Sequence, residues 1–158
     1  MHGRAVGLNH VSVPARDLAE SLRFYVDVLG LERIPSPDFA VAVEWLRAGD
    51  LEVHLYRRDE GDPLRSQHFG LEIDDFMAVY RRVRPHLDGT TFGASVVELP
   101  DGSVQMYVRD PAGNLVELDH RDVSCVDRAE VAEVVVLAEV VPQSEWARRS
   151  RLFLTPRA

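Results

Sequence analysis

Cysteine occurs once in 158 residues, at Cys125. That excludes an intramolecular disulfide, a thiolate zinc cage and a dithiol redox pair, and fits a reducing cytoplasm. Long apolar runs are missing too. Val134 to Ala138 falls far short of the ~18 residues that cross a bilayer, and no signal peptide is expected in the residues before His10. Positive charge is outnumbered, with 18 Lys+Arg against 26 Asp+Glu and a net charge of −8. This balance repels phosphate backbones and anionic lipid, so neither nucleic acid nor a membrane surface is expected as a partner. A composition of 46% hydrophobic and 28% charged residues describes one ordinary globular domain, neither a disordered tail nor a fibrous repeat.

What is present is a pattern stated twice. Leu8 to Val13 alternates with the period of a half-buried strand, and Pro14 is expected to end it. Asp17 is a good N-cap for a helix carrying Leu18, Leu22, Tyr25, Val26 and Leu29, with Gly30 as its stop. A short strand at Leu31 to Ile34 and strands over Phe39 to Leu46 and Leu51 to Arg57 complete a βαβββ module, residues 6–58. The charged, turn-rich stretch 57–63 reads as a connection. A second module, residues 66–120, then repeats the order: a strand over His68 to Ile73, a helix capped by Asp75, and strands over 94–99, 103–109 and 115–119. His10 precedes Asp17 by seven residues, as His68 precedes Asp75. Gly49-Asp50-Leu51-Glu52-Val53-His54 likewise parallels Gly113-Asn114-Leu115-Val116-Glu117, with one residue inserted, so His54 corresponds to Glu117. The expected architecture is α+β: paired βαβββ modules forming a cupped mixed sheet around a shared cavity, one domain over residues 1–120. Residues 121–158 are an extension, expected to be helical from Asp127 to Pro142, with its density of valine leaving a strand as the alternative, and to cover core or a partner subunit.

Residues two apart on a strand share a face, so His10, His54, His68 and Glu117 all stand opposite the apolar side of their strands. Any one histidine on a strand is more often a hydrogen-bonded or exposed residue than a ligand. Three imidazoles and a carboxylate at equivalent positions of a duplicated motif are different, because burying them unpaired would be costly and a metal ion would satisfy them together. His10, His68 and Glu117 are therefore the expected metal ligands. His54 is a fourth ligand, a base beside the metal or a structural hydrogen-bond donor. Nitrogen and oxygen ligands without thiolate suit one divalent ion, Fe(II) first, with Ni, Zn, Co or Mn as alternatives, and leave positions open for substrate.

The segments Gly7 to Val13, Phe24 to Leu31, His68 to Asp75 and Arg109 to Leu118 together resemble the vicinal-oxygen-chelate superfamily, the glyoxalase, bleomycin-resistance and dioxygenase proteins. The resemblance covers roughly residues 6–120. It implies metal ligands at His10, His68 and Glu117, chelation of two adjacent oxygens of a small organic substrate, and a homodimer. Tyr107 to Glu117 resembles the extradiol dioxygenases, in which Tyr107 and His54 would be catalytic. The position of His54 is normally glutamate in glyoxalase I, yet imidazole can also act as a base near neutral pH. Extradiol-type chemistry is the first expectation, a glyoxalase-type lyase or isomerase the second, and a non-catalytic drug-binding resistance protein the third. Arg109, Gln105 and Ser12 are the candidate substrate-binding residues. Arg109 could hold an anionic group or pair with Asp110 or Asp119. Glu52 is expected at the surface, and Trp45 as a core or interface anchor.

Overall fold

The computed structural model describes residues 4–154. The chain divides into two compact units. Unit 1 runs to Leu64 and also includes Asp110–Asn114; unit 2 comprises Arg65–Arg109 and the chain from Leu115 onward.

Unit 1 contains β1 (His10–Ala15), α1 (Leu18–Arg23), β2 (Glu32–Ile34), β3 (Val43–Ala48) and β4 (Leu51–Arg57), with the sheet ordered β1-β4-β3-β2. Asp17 caps α1 by accepting from the Ala19 and Glu20 amides, and the helix widens into a π-turn over Phe24–Val28. Gly30 follows at φ +81°, in the left-handed region a stop of this kind requires. α1 packs over β3 and β4, and Val13, Ala15, Leu46, Val53 and Leu55 are buried. His10, Ser12, Glu52 and His54 occupy the alternate positions of β1 and β4.

Two expectations need correction here. Pro14 does not end β1: Asn9 and Ala15 turn their carbonyls to β4, so the intervening even-numbered residues face away from it and no ladder bond is lost at the proline. The strand expected over Phe39 to Leu46 is instead β3, Val43–Ala48, which leaves Phe39 in the preceding loop.

The Asp110–Asn114 turn is tied into unit 1. The Tyr25 hydroxyl donates to Asp110 Oδ2 (3.0 Å), and the Asn114 amide donates both to Asp110 and to the Pro14 carbonyl (2.8 Å). Burial raises the Asp110 carboxyl above its ordinary range even though Asn114 and Tyr25 bond to it.

Unit 2 contains β5 (His68–Glu72), α2 (Phe76–Val83), β6 (Val96–Glu98), β7 (Val104–Arg109), β8 (Leu115–His120), β9 (Val135–Val136) and α3 (Leu137–Val140). Its sheet is ordered β5-β8-β7-β6-β9. Asp75 caps α2, which buries Phe76, Val79, Tyr80 and Val83. Val104, Met106, Val108, Val116 and Leu118 are buried on one face of β7 and β8. Gln105, Tyr107, Glu117 and Asp119 take the alternate positions.

The helix expected from Asp127 to Pro142 does not form. Val135–Val136 pairs in parallel with β6 instead, and only Leu137–Val140 is helical. The run Val134-Val135-Val136 is β-branched and β6 offers a free edge, so a ladder is the better use of that backbone. Val135 and Leu137 pack against Ala94, Val97, Tyr107 and Leu115.

Candidate metal centre and its flanking pocket

The duplication inferred from sequence reappears in the register. Ser12, two residues after His10, pairs with His54 across β1 and β4; Gly70, two residues after His68, pairs with Glu117 across β5 and β8. His54 thus stands to His10 as Glu117 stands to His68.

In unit 2, His68 Nε2 lies 3.4 Å from Glu117 Oε2. His68 Nδ1 donates to the Ser66 carbonyl at 2.8 Å, which places the ring proton on Nδ1 and leaves Nε2 a bare acceptor. In the neutral ring that nitrogen turns a lone pair toward the carboxylate, an arrangement that a metal ion or a second ring proton would relieve. Glu117 is buried, as is Asp119 two residues on, whose Oδ1 has no hydrogen-bond partner among the described residues. Burial first, then the adjacent Glu117 carboxylate, pushes the Asp119 carboxyl up to about 8. Such a donor set fits a divalent metal, whose charge would relieve the crowding of acceptors. Tyr107 sits opposite Glu117 and donates from its hydroxyl to Gln105 Oε1 (3.2 Å). Burial, followed by the Glu117 charge, raises the Tyr107 phenol well above its usual range, so it stays a hydroxyl. Phe92 rests on both Tyr107 (4.8 Å between ring centroids) and His68 (5.6 Å).

In unit 1, His10 Nδ1 donates to Asn9 Oδ1 at 2.7 Å, again leaving Nε2 bare. His54 has the opposite arrangement: its Nε2 donates to Glu52 Oε2 at 2.6 Å, so Nδ1 carries the lone pair. The His54 ring is stacked between His10 (centroids 4.3 Å apart) and Trp45 (4.2 Å, planes 5° apart). These rings, with Asn9, Phe39, Asp50 and Glu52, line a cavity of about 530 Å³.

Each unit therefore assembles half of the expected constellation: His10 and His54 in one, His68, Glu117, Tyr107 and Gln105 in the other. Among the described residues, no three His, Cys, Asp or Glu side chains are drawn together closely enough to hold an ion. Ser12 is exposed on the His10 face of β1. The Arg109 guanidinium donates within unit 2, to Asp88 Oδ2 (2.7 Å), Thr91 Oγ1 and the Arg65 carbonyl. Asp119, Glu52 and Trp45 were not singled out as site residues from sequence. Two of them carried a signal, since Asp119 lies two residues after Glu117 and Glu52 two before His54, each on the same strand face. Trp45 reaches His54 only through the β3–β4 register.

The profile of the Glyoxalase/Bleomycin resistance protein/Dioxygenase superfamily matches residues 7–118. The chain belongs to that superfamily. A curated relative, "Glyoxylase I 4" of Arabidopsis thaliana, is 27% identical over 127 residues, covering 73% of this chain and 71% of the relative. Among solved structures, a glyoxalase family protein from Bacillus anthracis aligns with a TM-score of 0.62 at 24% identity, over 76% of this chain and 98% of that one. The fosfomycin resistance protein FosX from Listeria monocytogenes, solved with Mn(II) and sulfate, aligns with a TM-score of 0.55 at 18% identity, over 77% and 97%. At these identities the structural matches establish the superfamily fold.

Proposed function

We propose that this protein is a metal-dependent enzyme of the superfamily, in which His10, His68 and Glu117 bind one divalent cation and His54 is the base beside it. The contrast between the histidines carries this reading. His10 and His68 tie down Nδ1 and leave Nε2 for a metal, whereas His54 ties Nε2 to Glu52 and leaves Nδ1 for a proton. When bound, the cation would act as a Lewis acid toward two adjacent oxygens of a small organic substrate. His54 Nδ1 would accept the proton that chelation acidifies. Glu52 would hold the ring in place and stabilise the imidazolium that forms, and the un-ionised Tyr107 hydroxyl would orient a substrate oxygen near Glu117.

The leading reaction is extradiol-type, with an aromatic diol deprotonated at His54 and Fe(II) as the metal. The aromatic walls beside His54 favour it. The likeness to the Arabidopsis relative favours a second reading, glyoxalase-type proton transfer next to a carbonyl, which would use the same base.

Metal per chain, measured on untagged protein, is the first test. Glu117→Ala should lose the ion while keeping its far-UV circular dichroism; undiminished metal in that variant would overturn the ligand assignment. His54→Ala should retain the ion and lose about 10²- to 10⁴-fold in turnover, the usual contribution of a positioned base. Oxygen uptake with catechol, set against isomerisation of the methylglyoxal–glutathione adduct, separates the two reactions.

A further inference from the structure

The cavity of unit 1 also describes the part of the substrate that the metal would not touch. Its apolar wall is Trp45, with Phe39 tilted 41° to it at 6.2 Å between centroids. One face of the Trp45 ring is covered by His54, and Phe39 is half exposed at 55%. The charged lining consists of two carboxylates, Asp50 in the β3–β4 turn and Glu52 on β4, and among the described residues no arginine lines the cavity. The chain contains no lysine at all. The arginines of the neighbouring strands are engaged: Arg47 pairs with Glu32, and Arg33 forms a two-pronged pair with Glu44 (2.7 and 2.8 Å). An anionic guest would thus meet like charge, with no guanidinium of the described residues in the wall. About 530 Å³ is room for a single ring system with a short substituent.

We infer that this pocket takes a planar ring whose substituent is neutral or cationic, and that Asp50 and Glu52 select against carboxylate- or phosphonate-bearing substrates. The inference rests on the proposed function for the chelated end of the substrate, but the ring pocket itself is built without any metal ligand other than His10. Trp45 and Phe39 supply stacking area, and the carboxylates supply the sign of the preference through charge–charge and cation–π contact.

The chain carries a built-in reporter. Of its two tryptophans, Trp45 lines the pocket and Trp146 is exposed. In a Trp146→Phe background, Trp45 fluorescence should be titrated with three probes that share one ring and differ in charge: dopamine, 4-ethylcatechol and 3,4-dihydroxyphenylacetate. The titration is repeated with phenethylamine, ethylbenzene and phenylacetate, which lack the adjacent oxygens. Both series should bind in the order cationic, neutral, anionic, with the cation about tenfold or more tighter than the anion. Asp50→Asn should narrow that ratio and leave metal content unchanged. Equal or tighter binding of the anions, or a ratio indifferent to Asp50→Asn, overturns the inference. Metal analysis of the same samples keeps the two readings apart. A preserved charge order in the oxygen-free series with no bound metal would sustain the pocket while the metal-enzyme reading fell. Stoichiometric metal with a reversed order would do the opposite.

Discussion

Gly70 shows how one residue can hold a site open. It stands opposite Glu117 in the β5–β8 register, and a methyl group there would lie 2.7 Å from Asp119 Oδ2 and 3.5 Å from Glu117 Oε1. Its backbone is ordinary strand, so the requirement is space rather than a positive φ. Gly70 is itself exposed, and Gly70→Ala would push the buried Asp119 carboxylate aside while meeting Glu117 at ordinary van der Waals distance. The expected result is a lower melting temperature together with less metal per chain. Full metal occupancy in that variant would mean that Asp119 can shift without disturbing the centre. The three histidines make the same point electronically. Each is assigned its reactive nitrogen by an oxygen on a residue one or two positions away: Asn9, Glu52 or Ser66.

Short elements position these residues, and the loop following α2 is the most tightly built. Asp88 is buried and accepts from the amides and hydroxyls of Thr90 and Thr91 and from Arg109. Desolvation opposes ionisation, but the Thr91, Thr90 and Arg109 hydrogen bonds outweigh it and hold the carboxyl well below the ordinary range. A depressed carboxylate pKa stabilises the fold above the unfolded-state value, near pH 4, and that contribution is lost as the pH falls below it. Asp88→Asn should therefore be less stable than wild type at pH 7, by about 1–3 kcal/mol. The gap should shrink between pH 4 and pH 2. Urea unfolding at several pH values measures it, and a gap independent of pH would contradict the role given to the charge. This loop carries Phe92 onto His68 and Tyr107, so the Arg109–Asp88 pair acts on the site through the loop rather than by touching substrate. β9 is the other element that shapes the site's surroundings, since it lengthens the unit 2 sheet and brings Leu137 onto the cluster containing Tyr107.

At the scale of the whole molecule, the proposed ligands are divided: His10 belongs to unit 1, and His68 and Glu117 to unit 2. The strands that carry His10 and His68, β1 and β5, are end strands of their sheets. A homodimer is the expected working form, and sedimentation velocity should give twice the 17.8 kDa chain mass. A monomer with full metal and activity would contradict it. Among the described residues, no helix is long and apolar enough to cross a membrane.

The amino-acid sequence by itself determined the repeated strand–helix–strand order and the face on which His10, His54, His68 and Glu117 lie. Both follow from local rules, the two-residue period of a strand and the capping chemistry of Asp17 and Asp75. It did not determine where β9 pairs, because a valine-rich run is compatible with helix or strand until an unpaired edge such as that of β6 is at hand. Nor could it place Trp45 on His54, Arg109 on Asp88 or Phe92 on Tyr107. Those neighbours are separated by 9, 21 and 15 positions in the chain, and strand register and loop closure alone bring them into contact.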